Sequence, residues 1–333
     1  MTNEVNSDRA RGGALLAWMQ LMRLPNVFTA AADVTMGFFF VAGSLQPIPV
    51  YLCVLGASCL LYTSGMVLND LFDLADDRQK RPERPLPSGR VSVKAAAVVG
   101  FGMLALGMLL GWITFPLAPE GASLAWRGGA VATALATCVL LYDGVLKHTF
   151  VGPFAMGACR FLNVLLGMSM AMAAAGGTGN VPIVWLGFDK AQLLVAGGIG
   201  IYITGVTVFA RREEGQSNRI VLIGGTVMML CGIALLGTVP IFHLPMIAVD
   251  LQRRVYWLLL ALLAGGLLVR ASAAIFRPVP ARVQIVVKHC IMLLIVLDGA
   301  VCAAAHSGRP WYAIGIVALL FPAMLLGRWV YST

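Results

Sequence analysis

The chain has 333 residues, 59% of them hydrophobic and only 12% charged, with a formal charge of +9. A soluble domain carries about 45–50% apolar and about 25% charged residues, so a soluble domain is excluded, and with it a disordered chain. The basic residues are scattered between apolar runs, which excludes a nucleic-acid surface and makes the charge a matter of membrane orientation.

Residues 1–26 read as a polar tail followed by an interfacial helix, with Trp18, Leu21 and Met22 of the amphipathic stretch Ala14–Leu24 on the membrane surface. The polar Met1–Gly13 segment argues against a signal peptide. Residues 27–333 read as one all-α membrane domain, a polytopic bundle of nine or ten spans. A span takes about 20 apolar residues, and ten runs qualify: 27–44, 49–69, 93–115, 128–146, 151–175, 191–210, 219–240, 254–272, 283–304 and 310–331. The fourth, fifth and ninth are the most polar. With the N-terminus in the cytoplasm, nineteen of the 24 Lys and Arg fall on cytoplasmic loops and span ends and five on the other side. That bias predicts a multi-pass protein of the plasma or inner membrane with both termini cytoplasmic. The seven Cys read as reduced packing residues, and the four His lack zinc spacing.

The second run ends in Asn69-Asp70-Leu71-Phe72-Asp73-Leu74-Ala75-Asp76-Asp77-Arg78, which holds four of the fifteen acidic residues. At about 100° per residue, Asn69, Asp73, Asp77 and Asp70 fall at about 0°, 40°, 80° and 100° of a continuing helix, on one face. Three negative charges at a membrane boundary are costly unless a cation fills them, and hard oxygen ligands suit magnesium. The face is about 12 Å long, which suits one or two ions bridging to a polyanion. Arg78, Lys80, Arg81, Arg84 and Arg90 follow, threaded through Pro82, Pro85, Pro87 and Gly89, and Arg forks match phosphate oxygens. A solvated loop obeying the positive-inside rule is the competing reading; the ordered Asp spacing favours a diphosphate site.

These residues resemble a family. Asn69-Asp70-x-x-Asp73-x-x-x-Asp77, followed by Arg81-Pro82-x-Arg84-Pro85-Leu86-Pro87-Ser88-Gly89, is similar to the first aspartate motif of UbiA-type intramembrane prenyltransferases. Tyr142-x-x-x-Leu146-Lys147, Arg160-x-x-Asn163 and Arg23-Leu24-Pro25-Asn26 add to the likeness. The resemblance implies a helical bundle around a cavity that opens toward lipid. It implies transfer of an isoprenoid chain from a prenyl diphosphate donor to an acceptor, often aromatic, with diphosphate held by Mg2+. Asp70, Asp73 and Asp77 would be catalytic and, with Asn69, metal ligands. Asn26, Arg81, Arg84, Lys147, Arg160, Asn163, Arg211 and Arg212 would contact diphosphate. Lys147 has a second reading, an i,i+4 ion pair with Asp143, and Arg160 with Asn163 a second one as a link between helices.

The sequence departs from the family at the end of the sixth run. Thr204-Gly205-Val206-Thr207-Val208-Phe209-Ala210-Arg211-Arg212-Glu213-Glu214 carries no aspartate. Either Glu213 and Glu214 recruit a second magnesium, or Arg211 and Arg212 grip phosphate directly, or the second site is absent. In the ninth run Lys288 reads as snorkelling to the cytoplasm and Asp298 as bonded to a neighbouring helix. A transporter, or a non-catalytic binder of prenyl diphosphates, is the alternative function, though a transporter has no need of a magnesium ladder followed by an Arg-Pro segment. The acceptor, aromatic or lipid-like, is not legible.

Overall fold

The computed structural model describes residues 13–118, 124–169, 186–211, 218–242, 250–305 and 310–330. They form helices α1 (13–21), α2 (Leu24–Ala42), α3 (Ile48–Phe72), α4 (Leu74–Lys80), α5 (Val93–Ile113), α6 (Arg127–Gly144), α7 (Gly152–Met168), α8 (Lys190–Ala210), α9 (Arg219–Gly237), α10 (Val239–Phe242), α11 (Asp250–Phe276), α12 (Pro280–Ala305), α13 (Pro310–Ala318) and α14 (Leu320–Trp329). Local chemistry marks several boundaries. Pro occupies the first turn of α2, α3 and α7, where its missing N–H leaves no bond unmade. Ser92 caps α5, and Asp189 with Gln192 forms a capping box on α8. Gly43, at φ 64°, ends α2 by donating its N–H to the Phe39 carbonyl.

Each of the ten apolar runs is helical among its described residues. Among the described residues eight helical segments are long and apolar enough to cross a membrane; α6 and α7 are not among them. These two were the fourth and fifth runs, and their polar residues line the site described below. The protein is a multi-pass helical membrane bundle.

Without a hydrophobic drive between helices in lipid, close packing depends on small residues. On α8, a Cβ at Gly205 would lie 2.5 Å from the Met229 amide nitrogen and 2.7 Å from the Gly225 carbonyl of α9. On α7, a Cβ at Gly157 would lie 2.6 Å from the Gly200 carbonyl. Backbone thus meets backbone along α7, α8 and α9.

The N-terminal helix corrects one expectation. Leu21 and Ala17 are fully buried in a small core with Val67, Leu86, Val91 and Ala96, and Trp18 and Met22 pack partly against it. Ala17 and Leu21 thus face α3, α5 and the 81–91 loop, while Leu15 and Leu16 of the same helix are exposed.

Three contacts bring the loops to one end of the bundle. The Lys147 ammonium meets Asp73, Arg211 donates to the Thr149 carbonyl across 3.0 Å, and Arg219 donates to the Phe276 carbonyl across 3.2 Å. The turns after α3, α6, α8 and α11 therefore share that end.

Candidate active site

The aspartate stretch is not one continuing helix. At Asp73 the backbone turns out of helical geometry (φ −85°, ψ 0°), so α3 ends at Phe72 and α4 starts at Leu74. The ladder bridges the break, since Asp73 N–H bonds Asn69 and Asp77 N–H bonds Asp73. The kink divides the four side chains that an ideal helix would align. Asp70 and Asp77 turn toward a common cation. Asp73 turns toward Lys147, with His148 Nε2 at 3.7 Å, and Asn69 donates to Asp143 across 2.8 Å.

The common cation is Arg84. Its Nη1 lies 2.9 Å from Asp77 and 3.6 Å from Asp70. Arg23 adds a contact to Asp70 at 3.2 Å, and Arg81 one to Asp77 at 3.4 Å. Asp70, Asp77 and Arg84 are all buried, so these charges meet with little water between them. Arg84 is positioned by its loop. The Ser88 hydroxyl donates to the Arg84 carbonyl across 2.6 Å, Gly89 supplies a left-handed φ of 74°, and Leu86 anchors the turn in the core under α1. Arg90 ties the loop to α1 through Gln20 at 2.9 Å. Arg23 sits between α1 and α2 at φ 44°, a left-handed conformation that a side-chain-bearing residue adopts at a cost; there its guanidinium reaches Asp70.

Asp76 lies outside this arrangement. It is exposed and pairs with Lys80; the hydrogen bond from Lys80 holds its carboxyl below the usual range.

Lys147 corrects a second expectation. The α6 helix ends at Gly144 and Lys147 lies in a 3-10 turn, so the i,i+4 helical pairing with Asp143 does not form. Lys147 meets Asp73 instead, and Asp143 accepts from Asn69. Asp143 also lines a narrow cavity of about 50 Å3 walled by Tyr62, Gly65, Leu135, Tyr142 and Met156, among others. Arg160 and Asn163 face the same cavity. Both are tied into a buried cluster: Arg160 donates to Asp33 at 2.8 Å and Thr29 at 2.7 Å, and its guanidinium lies 5.0 Å over the Tyr62 ring. Asn163 donates to Asp33 at 3.0 Å and accepts from Ser58 at 2.6 Å. Asp298, fully buried, is an electrostatic neighbour of Asp33 and Arg160. Neither of its carboxyl oxygens has a hydrogen-bond partner among the described residues, so the expected bond to a neighbouring helix does not form; Lys288 is exposed.

Asn26 lies partly buried in the first turn of α2, and its carbonyl accepts from Thr29. Arg211 is exposed and holds Thr149; Arg212, Glu213 and Glu214 lie outside the described residues. Sequence reasoning missed the roles of Arg23, Asp33 and Tyr62. Asp33 carried a usable signal, because a lone acid inside an apolar span marks a site by default.

The residues fit magnesium. Among the described residues no three acidic, His or Cys groups converge on one point. Magnesium, however, takes one or two carboxylates together with substrate phosphate and water. Asp70 and Asp77 already share a cation between them, the Arg84 guanidinium.

The sequence matches the UbiA prenyltransferase family over residues 30–286. The chain belongs to that family. It is 30% identical over 175 residues to the digeranylgeranylglyceryl phosphate synthase of Sulfolobus acidocaldarius, covering 52% of this chain and 58% of that protein. The synthase of the same name from Ignicoccus hospitalis is 28% identical over 268 residues, covering 79% of this chain and 82% of that protein. A UbiA homolog from Archaeoglobus fulgidus, solved bound to GPP and Mg2+, shares the fold with a TM-score of 0.53 at 14% identity, over 91% of this chain and 99% of that one.

Proposed function

We propose that the protein is an intramembrane prenyltransferase that moves an isoprenoid chain from a prenyl diphosphate to a small acceptor with release of diphosphate. The observation that carries this reading is the pair of buried carboxylates, Asp70 and Asp77, facing one cation, with the adjacent Asn69 bonded to Asp143 on the wall of the apolar cavity. Asp70 and Asp77 would hold magnesium, with Asn69 and Asp73 flanking. A bound ion offsets the negative charge that grows on the leaving diphosphate.

The chain's own cations do the rest. Arg23, Arg81, Arg84 and Lys147 each lie against an aspartate and turn to phosphate oxygens when the donor arrives, stabilising charge that develops as the C–O bond breaks. The electron pair of that bond leaves with diphosphate. The acceptor's electron pair then forms the new bond to the allylic carbon, and the acceptor loses a proton. The apolar walls of Leu135, Val139 and Met156 keep water from the allylic cation. The names of the relatives favour a lipid-like, phosphate-bearing acceptor over an aromatic one. Both termini and the Arg78–Arg90 loop take the cytoplasmic side on the basic-residue bias.

The test is to incubate purified protein with radiolabelled prenyl diphosphates, magnesium and each acceptor class, and to measure diphosphate release and labelled product. Release that depends on acceptor and stops on chelation supports the reading. Tight donor binding without release would make the protein a non-catalytic binder.

A further inference from the structure

The polar cluster behind the cavity wall is short of one positive charge. Asp33 of α2 turns a single carboxyl oxygen, Oδ2, to both of its donors, Arg160 at 2.8 Å and the Asn163 amide at 3.0 Å. Its other oxygen, Oδ1, meets no donor among the described residues. The neighbouring donors have other acceptors. Asn163 also donates to the Ala30 carbonyl across 3.1 Å, Arg160 to the Thr29 hydroxyl, and Thr29 in turn to the Asn26 carbonyl. The Ser58 hydroxyl serves Asn163 and the Ala30 carbonyl.

Asp298 comes to this cluster from α12, which packs on α2. It acts electrostatically on both Asp33 and Arg160. It is fully buried, and neither of its oxygens meets a donor among the described residues. The three orphan oxygens are sealed from solvent, and neither acid lines the cavity that Arg160 and Asn163 face. Two carboxyl groups thus share one guanidinium inside a membrane bundle. Buried polar atoms are almost always hydrogen-bonded, and an intramembrane charge is unfavourable without an opposite one. What is lacking is one positive charge and one donor. A proton supplies both and needs no space of its own, and two carboxyl groups in one site do not both stay ionised.

We infer that Asp33 and Asp298 hold one proton between them, so that the O–H of one acid donates to the other and joins α12 to α2. The remaining negative charge is the one that Arg160 neutralises at the cavity wall. The other ionisable groups beside the pair are Tyr62 of α3, under the Arg160 guanidinium, and Cys302, one turn further along α12. Tyr202 of α8 donates to the Cys290 carbonyl, and Tyr312 of α13 leans on Phe39. Arg253, Arg254 and Arg270 of α11, Lys288 and His289 of α12 and Arg328 of α14 are partly or fully exposed. None of these groups donates to Asp298 or to Asp33 Oδ1. The proton is held whether or not a prenyl diphosphate is bound.

The experiment is infrared difference spectroscopy of the purified full-length protein in nanodiscs at neutral pH, paired with thermal unfolding. Wild type minus Asp298→Asn should show a carboxylic-acid C=O band, equivalent to one carboxyl group per chain, that moves to lower frequency in D2O. Wild type minus Asp33→Asn should show the same band, because either change leaves one carboxylate to one guanidinium. Either variant decides the matter should the other fail to fold. A proton held in the folded state and released on unfolding makes stability fall as pH rises. Wild type should therefore lose more melting temperature between neutral and alkaline pH than Asp298→Asn, whose amide keeps a donor without titrating. A difference spectrum that shows only a lost carboxylate band overturns the proposal, since both acids were then ionised. So does an equal alkaline loss in wild type and a folded Asp298→Asn protein. A missing acid band together with a wild-type melting temperature raised by sodium chloride and not by choline chloride would put sodium in the site, and also overturns it.

Discussion

Arg84 donates from Nη1 to Asp77 across 2.9 Å, and the same nitrogen stands 3.6 Å from Asp70. One guanidinium nitrogen thus takes the place between two carboxylates that a divalent ion would need. Arg84→Gln should leave the pair under-compensated in a buried setting, at a cost of about 3–5 kcal/mol. Millimolar magnesium should then raise the melting temperature of Arg84→Gln clearly more than that of wild type, because the ion fills the vacated position. An equal rise in both proteins would put the ion somewhere else.

Asp73 and Asp76 are three residues apart and should respond differently. Asp73 meets Lys147 at the mouth of the site, whereas Asp76 is exposed and pairs with Lys80. Asp73→Asn should lower kcat by about 100-fold or more, the scale of losing a transition-state electrostatic contact, with an unchanged melting temperature. Asp76→Asn should leave kcat unchanged. Comparable losses from both would mean that net charge, and not placement, governs the rate.

The second loop allows two mutational patterns. Arg211 already bridges to Thr149 beside Lys147, so we expect the arginine arm to act. Arg211→Ala should raise the donor's KM and lower kcat, at about 1.5–3 kcal/mol for a lost charge-assisted bond, while Glu213→Gln and Glu214→Gln stay mild. Steady-state kinetics with varied donor and magnesium separates the arms; a loss of magnesium dependence in the Gln variants would favour the glutamates.

Arg160 and Asp33 should couple. Arg160→Met leaves Asp33 and Asp298 buried without their cation and should destabilise by about 3–5 kcal/mol. Asp33→Leu in the same chain should recover part of that loss. The double-mutant cycle, followed by thermal or denaturant unfolding, should give a coupling of about 0.5–3 kcal/mol. Strict additivity would show that the two do not act as a pair.

Gly205 and Gly224 form an internal control for helix packing. A Cβ at Gly205 meets the α9 backbone at 2.5 Å, whereas one at Gly224 meets nothing within 4 Å. Gly205→Ala should cost about 1–3 kcal/mol and Gly224→Ala should be neutral in the same unfolding assay. Equal effects would mean that helix propensity, not the α8–α9 contact, sets the response.

The sequence by itself determined the class of solvent this chain lives in, because composition and run length are properties of the strand alone. Among the described residues each of the ten apolar runs is helical, and the runs interrupted by Tyr142, Asp143, Arg160 and Asn163 line the cavity together with Tyr62, Gly65 and Met66 of the second. The motif from Asn69 to Gly89 was legible for the same reason: its carboxylates and guanidinium groups are close in the chain, and local spacing is enough to bring Arg84 to Asp77.

Tertiary structure decided what spacing could not. A helical wheel assumes constant backbone geometry, and the turn at Asp73 sends Asp70 and Asp77 to one cation, Asp73 to Lys147 and Asn69 to Asp143. Arg23 reaches Asp70 across 47 residues, and Arg160 reaches Asp33 across 127. No local period encodes such pairs. They form because burying a charge in a bilayer-embedded bundle is unfavourable until an opposite charge from another helix meets it, and only the packing of α2 on α3 and α7 determines which one that is.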